Sequence, residues 1–446
     1  MKRYRFMISS VIRFIRQQVD QKHTRDIMVV FAIQAFALLT SLSISLLITN
    51  ILGAAAYGAF SYGFSWVNLV ATFSCMGFEQ LALKEVPAYR AAGKSDLIRG
   101  LFRFSMKRVL TVSVIATLMM FTVSWLIQQP ADEMLRKGLW LALPVLPVTA
   151  LINLRFAWLR SEHWNTLSQL PDKVIRPAVF LVSVLIIYFI WKESLNVWLV
   201  ILLSAASILL ALVIGNYFVN RRVISTIAEV TPVFESEKWM KTAFALLLVN
   251  GVYFYLSQLQ IIALGSLRGA KDTGVFAIAS RLSDLEGYML FAMNVVLAPI
   301  ISKLYAEKKM EELQRIITGS LRTGFIFSIP VIALFLNYPT FFLQLFGDEF
   351  GEGRLALMIL TVSQIVNFGT GSVGYLLTMT GHQKTALQLL FSCALLTTVL
   401  TFFLIPSFGI NGAAIAAGIN NILLNVLMAV AVYRKTGINS TLLRFK

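Results

Sequence analysis

The chain has 446 residues, of which 57% are hydrophobic and only 14% charged, with a mean hydropathy of +0.75 and a net charge of +17. Soluble domains carry about 25% charged residues, so composition excludes a water-soluble enzyme and indicates an integral membrane protein. The two cysteines, Cys75 and Cys393, lie in apolar runs and read as packing residues, not a disulfide.

In chain order, residues 1–26 are basic and amphipathic, with no small-residue cleavage site after an apolar core, so no cleavable signal peptide is expected. Residues 4–19 set Phe6, Ile8, Val11, Phe14 and Ile15 among Arg5, Arg13 and Arg16, the pattern of a short helix lying on the cytoplasmic leaflet. Apolar segments of the ~20 residues needed to cross a bilayer follow at 29–49, 58–80, 104–128, 138–158, 173–191, 196–219, 242–264, 274–302, 320–343, 355–379, 385–405 and 411–433. Span 5 is the weakest, because Pro177 sits in a short apolar run. The expected organisation is an amphipathic N-terminal segment (1–28), an N-lobe of spans 1–6 (29–219), a linker (220–241), a C-lobe of spans 7–12 (242–433) and a tail (434–446).

The halves repeat each other. Gly58-Ala59-Phe60 returns as Gly274-Val275-Phe276 and Asp96-Leu97-Ile98-Arg99 as Glu312-Leu313-Gln314-Arg315, both 216 positions on. His163-x-x-Thr166-x-x-Gln169-Leu170 returns as His382-x-x-Thr385-x-x-Gln388-Leu389. Leu52-Gly53 matches Leu264-Gly265 at an offset of 212, which implies a four-residue insertion in the second copy. An even span count per half makes the repeats parallel, the arrangement of many transporters.

With the N-terminus inside, 32 of the 39 Lys and Arg residues fall on the cytoplasmic side and 6 outside (Arg136, Lys137, Lys192, Arg268, Lys271 and Arg354), Arg281 lying within a span. This positive-inside bias places both termini in the cytoplasm. It also accounts for the net charge without nucleic acid as a partner, membrane lipids being sufficient.

Chemistry of other kinds is not visible. There is no G-x-x-x-x-G-K-[ST] loop, no zinc-spaced Cys/His set, no histidine inside a span and no external loop large enough for a catalytic domain. Neither an enzyme nor a cofactor is expected, and transport is the class that remains.

Span 8 holds three ionisable residues, Arg281, Asp284 and Glu286, which are costly in a membrane and mark an interior or a water-filled cavity. Arg281, Asp284 and Tyr288 share one helical face, with Glu286 pointing elsewhere. The guanidinium fork of Arg281 suits phosphate oxygens, and Asp284 or Glu286 is a candidate for ion coupling; a self-satisfied Arg281–Asp284 packing pair is the competing reading. Span 1 carries a polar stripe of Gln34, Ser41, Ser45 and Thr49, and span 7 one of Asn250, Tyr253 and Ser257. Such groups line a polar cavity or bond helix to helix. Arg25 and Arg155 stand at cytoplasmic span mouths as candidates for an anion entry ring.

Several segments carry a resemblance. Leu52-Gly-Ala-Ala-Ala-Tyr57-Gly58-Ala-Phe60, Phe346-Gly-Asp-Glu-Phe350, Thr380-Gly-His-Gln-Lys384 and Leu404-Ile-Pro-Ser-Phe-Gly409-Ile-Asn411-Gly412 resemble, in this order, motifs of the Wzx-type O-antigen/polysaccharide flippases of the MOP (multidrug/oligosaccharidyl-lipid/polysaccharide) superfamily. The resemblance covers essentially the whole chain. It implies an all-α integral membrane protein with twelve transmembrane helices in two parallel six-helix repeats, MATE-like, around a cavity that opens alternately to each side. It further implies an undecaprenyl-diphosphate-linked oligosaccharide as substrate, carried to the outer leaflet of a bacterial cytoplasmic membrane while the lipid tail stays between spans 1 and 8. Partners would be other glycan-assembly proteins such as a polymerase or chain-length regulator. Arg281 falls where lipid II flippases of the superfamily carry a cavity arginine. One departure is that Asn50 and Ile51 stand where many members have an arginine, and the first half shows no mid-span arginine. A lipid II flippase and a MATE-type drug antiporter are the alternatives.

Overall fold

The computed structural model describes residues 21–128, 130 and 132–442, and the regular secondary structure in that range is all helical. The amphipathic 4–19 segment lies outside the described residues. The N-terminal half comprises α1 (Gln21–Ser74), α2 (Phe78–Ala91), α3 (Ser95–Ile127), α4 (Glu133–Ala142), α5 (Leu146–Ser161), α6 (Asn165–Gln169), α7 (Arg176–Ile190) and α8 (Val197–Arg222). The second half comprises α9 (Ser236–Arg268), α10 (Ala270–Ala306), α11 (Met310–Asn337), α12 (Pro339–Gln344), α13 (Arg354–Thr370), α14 (Val373–Met379) and α15 (Gln383–Thr436).

Seven of these helices are long and apolar enough to cross a membrane, or up to nine if each bent pair is one span. α1 and α15 run 54 residues each and break at Gly53 (φ 81°) and Gly409 (φ 53°), so each supplies two membrane-length segments. A positive φ is strained for any residue with a Cβ, which is why the breaks fall on glycine. α10 lies buried between the lobes over Val275–Ala279. Counted with the breaks, the helices form two six-segment repeats.

Span 5 is built from α6, a π-helical turn at Leu170–Ile175 and α7. Pro171 cannot donate a backbone hydrogen bond and Pro177 opens α7, so the regular ladder is interrupted here. The break pulls Asp172, Lys173 and Arg176 towards the interior.

The N-lobe core gathers Val67, Leu81, Ile98, Leu143 and Trp158, with Trp158 edge-on to Phe102. A second core contains Ala54, Tyr57 and Phe180 from the first half and Val275, Phe276, Phe335 and Phe350 from the second, so the lobes share it. α1 and α10 make the most extensive helix contact in the molecule. They cross at Gly58 and Gly274: a Cβ on Gly58 would fall 1.8 Å from the Ala270 carbonyl oxygen, and one on Gly274 1.9 Å from that of Ala54.

This geometry corrects the repeat register. The α1 break at Gly53 has its counterpart at Gly269 (φ 98°), not at Gly265. The offset there is 216, as at Gly58 and Gly274, and the expected four-residue insertion is absent. At this offset Ser257 matches Ser41.

Each lobe ends in a tethered strap. After α8 the chain lies on α3, where Val233 N donates to Asp96 O at 3.2 Å and Arg99 bonds the Val230 carbonyl. After α15, Asn439 and Gln314 exchange two hydrogen bonds of 2.7 Å, and Leu442 N donates to Gly369 O at 3.0 Å.

Candidate functional site

Ser41 and Ser45 stand one turn apart on α1 and so share a face. The break at Gly53 folds the second part of α1 back so that Tyr57 reaches the same spot. Arg281 enters from α10 on the opposite side. Its guanidinium donates to Tyr57 Oη at 2.7 Å and to Ser41 Oγ. Tyr57 Oη and Ser45 Oγ are 3.1 Å apart, and Ser45 Oγ donates to the Ser41 carbonyl at 3.0 Å.

The proton directions follow from donor counting. Arginine donates only, so Tyr57 accepts from Arg281 and donates onward to Ser45. Ser45 and Tyr57 are buried and Arg281 is half-buried. The hydroxyls of Tyr57 and Ser41 hold the guanidinium plane in one orientation. Among the described residues Arg281 makes no direct ion pair with Asp284, which nonetheless lies within electrostatic reach of it.

These residues line a partly open cavity of about 220 Å³. Its wall also contains Asp172, Lys173 and Arg176 from the span 5 break, with Phe60, Phe180 and Ser204. Asp172 is engaged by Arg176 at 2.7 Å and by Lys173 at 3.3 Å. Lys173, Arg176 and Arg281 thus stand against the one carboxylate of Asp172. Low-dielectric walls of one charge sign focus the field and concentrate counter-ions. The first half therefore contributes cations to the cavity although it has no mid-span arginine. They arrive from the start of span 5, where the positive-inside tally counts them on the cytoplasmic side.

The other sequence candidates are placed as follows. Gln34 Nε2 donates to Gln169 Oε1 at 3.0 Å, tying α1 to α6. Asn250 and Ser257 are exposed on α9 and bond their own helix, at Leu246 O and Phe254 O. Tyr253 is exposed as well, and none of the three joins the Arg281 cluster. Arg155 is half-buried on α5, and its Nε and one terminal nitrogen have no hydrogen-bond partner among the described residues. Asp284 is exposed, whereas Glu286 is 3% exposed beside Thr361 of α13. Neither Glu286 carboxyl oxygen reaches hydrogen-bond geometry with a described residue. The side chains of Arg25 and Tyr288 lie outside the described residues.

Further polar groups in the C-lobe serve packing. Gln260 and Thr401 bond reciprocally at 2.9 and 3.2 Å, Tyr255 bonds Thr398 at 2.9 Å, and Asn421 donates to Ser363 at 3.1 Å. Helix-to-helix bonds of this kind are the common use of such groups in membranes.

A family model described as polysaccharide biosynthesis protein matches residues 23–305. The chain belongs to the polysaccharide biosynthesis protein family. A MatE model also matches residues 242–403. This family member is 23% identical over 388 residues to the uncharacterized membrane protein MJ1068 of Methanocaldococcus jannaschii, covering 80% of this chain and 73% of that one. It is 25% identical over 182 residues to the probable low-salt glycan biosynthesis flippase Agl15 of Haloferax volcanii, covering 40% of this chain and 38% of Agl15. Its fold is similar to an inward-facing multidrug resistance MATE family transporter of the MOP superfamily, with a TM-score of 0.74 at 15% identity over 92% of this chain and 99% of that one. The MATE-like, MOP superfamily architecture implied by the sequence motifs is therefore the fold of this polysaccharide biosynthesis family member.

Proposed function

We propose that this protein is a flippase that moves an undecaprenyl-diphosphate-linked oligosaccharide, an O-antigen or capsular repeat unit, from the cytoplasmic to the outer leaflet. The observation that carries the reading is the guanidinium of Arg281, oriented by the hydroxyls of Tyr57 and Ser41 in a cavity walled by Lys173 and Arg176. A diphosphate is the part of such a substrate that most resists entry into a membrane, and guanidinium forks match its oxygens. The aromatic walls at Phe60 and Phe180 give sugar faces an apolar surface. The similarity to a glycan flippase points the same way. The MatE match favours a cation antiporter as the second reading, but cations outnumber acids in the cavity wall, which opposes a cationic cargo.

The positive-inside bias sets the orientation, with both termini in the cytoplasm of the cell that carries the protein. The turns at Gly53, Asp132, Gly269 and Glu349 then face outwards, and the lobes are closed there. In a cell lacking the gene, the lipid-linked oligosaccharide is expected to accumulate on the inner leaflet, inaccessible to an externally added glycan-oxidising label. Surface glycan that persists at the parental level contradicts the proposal.

Glu286 is proposed as the ion-coupling group, because a buried carboxylate in a membrane is costly unless it carries a proton or a cation. Glu286→Gln is expected to retain substrate binding and to abolish the response of flipping to an imposed proton or sodium gradient. An unchanged gradient response assigns coupling elsewhere, with the exposed Asp284 tested next by Asp284→Asn.

A further inference from the structure

The two lobes hold each other closed through a pair of contacts related by the repeat. The break at Gly53 starts a new helical run at Ala54, and the break at Gly269 starts α10 at Ala270. The first N–H groups of such a run have no partner within the helix, and glycine has no side chain to cap them. Glu349, between α12 and α13 of the C-lobe, accepts the Ala54 N–H of the N-lobe. Asp132, between α3 and α4 of the N-lobe, accepts the Ala270 N–H of the C-lobe at 2.8 Å. Ala54 and Ala270 are 216 positions apart, and the two acids stand one position off the same offset. The surroundings repeat too. A Cβ on Gly53 would lie 2.7 Å from Glu349 Oε1, and one on Gly269 3.0 Å from Asp132 Oδ2.

We propose that Asp132 and Glu349 form a reciprocal latch that sets the balance between the closed and open states of this end of the cavity. Each acid reaches out of its own lobe and meets the positive end of a helix in the other, where a carboxylate is favoured by both hydrogen bonding and the helix dipole. The crossing of Gly58 and Gly274 lies directly below, so the lobes cannot part there without drawing both acids off their helices. Because the contacts are equivalent by pseudo-symmetry, opening breaks both together, and the gate behaves as one cooperative element. Asp132 also accepts from Met134 and Leu135 at the start of α4 through Oδ1, so its second oxygen is held ready for Ala270. Glu349 makes no such local cap among its hydrogen bonds, and its contact to Ala54 is the cleaner reporter.

The device depends on no particular substrate, and its test uses none. Spin labels are placed at Lys137 and Arg354, exposed positions of opposite lobes at this end, in the full-length protein in lipid nanodiscs. Pulsed dipolar spectroscopy then reads the distance between them. The parent protein is expected to give mainly the short, closed distance. Glu349→Ala is expected to raise the ratio of long to short distances about tenfold, the weight of one charge-assisted hydrogen bond. Asp132→Ser, which retains a capping oxygen for α4, should do the same, and the double variant more. Glu349→Gln keeps an acceptor and should shift the ratio less than Glu349→Ala; it serves as the test if the alanine variant does not fold. Distance distributions in Glu349→Ala and Asp132→Ser that match the parent overturn the latch, whatever the substrate proves to be.

Discussion

Gly274→Val is expected to abolish transport while leaving a folded, membrane-inserted protein. The reason is the crossing of α1 and α10, where a Cβ on Gly274 would sit 1.9 Å from the Ala54 carbonyl oxygen and 3.0 Å from the Gly58 nitrogen. Backbone atoms cannot swing aside as a side-chain tip does. The helices must separate by more than an ångström, and the cost exceeds the ~1–3 kcal/mol of ordinary overpacking. Each lobe keeps its own core, because the N-lobe cluster around Trp158 and the C-lobe cluster around Leu376 and Val432 lie away from the crossing. The variant is thus driven to the state in which this end is open. Gly58→Val should behave identically, since its Cβ would meet Ala270 O at 1.8 Å. Two measurements check this. Flipping in proteoliposomes should fall at least ~100-fold, given a penalty of about 3 kcal/mol. A cysteine at the cavity residue Ala37 should become reactive to a membrane-impermeant thiol reagent from the Gly53 end, against a low background because Cys75 and Cys393 are buried. Parental transport in either variant would show that the crossing does not have to close.

Arg281→Ala carries the second large effect. Truncation removes the one cation that both faces the cavity and is oriented by Tyr57 and Ser41. A hydrogen bond to a charged group contributes about 1.5–3 kcal/mol, so losing a two-point phosphate contact should lower kcat/KM about 100-fold. Arg281→Lys restores the charge but not the planar fork, and an intermediate rate, within about tenfold of the parent, is expected. Tyr57→Phe leaves the charge and removes the hydroxyl that orients it; the rate should drop several-fold with little change in thermal stability, because Ser45 keeps its bond to the Ser41 carbonyl. The order parent, Tyr57→Phe, Arg281→Lys, Arg281→Ala separates an oriented binding group from a merely structural one. Parental rates in Arg281→Ala would remove the site assignment while leaving the fold and the gate unaffected.

The parts of this protein that were legible in its sequence are those set by local chemistry. An arginine in an apolar span is conspicuous wherever it lies, and Arg281 does face the cavity. The long apolar segments and the repeat at Gly58 and Gly274 likewise reflect constraints on single helices. Register failed at Gly265 because a Leu-Gly pair matches by composition, whereas only Gly269 has the positive φ of a break. Arg176 and Lys173 read as cytoplasmic-side charges because they sit at the start of span 5. A π-helical turn that contains Pro171 and precedes Pro177 turns them inwards, and no periodicity reports that. Tyr57 was hidden inside a turn motif, since an aromatic residue there reads as packing. The polar stripe on α9 has the spacing of a cavity face, but spacing fixes only which residues share a face and not what that face meets. Asp132 and Glu349 were invisible for a different reason: their partners are backbone N–H groups in the opposite lobe, which carry no residue identity to read.

The most direct test of the central claim is leaflet-resolved transport by purified protein in liposomes. A fluorescent undecaprenyl-diphosphate-linked oligosaccharide is loaded, and its exposure to an external quencher is followed with time. The account predicts that the protein accelerates exposure of the lipid-linked glycan, and that cutting the Arg281 contact removes most of the acceleration. A protein that leaves this lipid in place, yet drives a cationic dye across the same membrane, contradicts it.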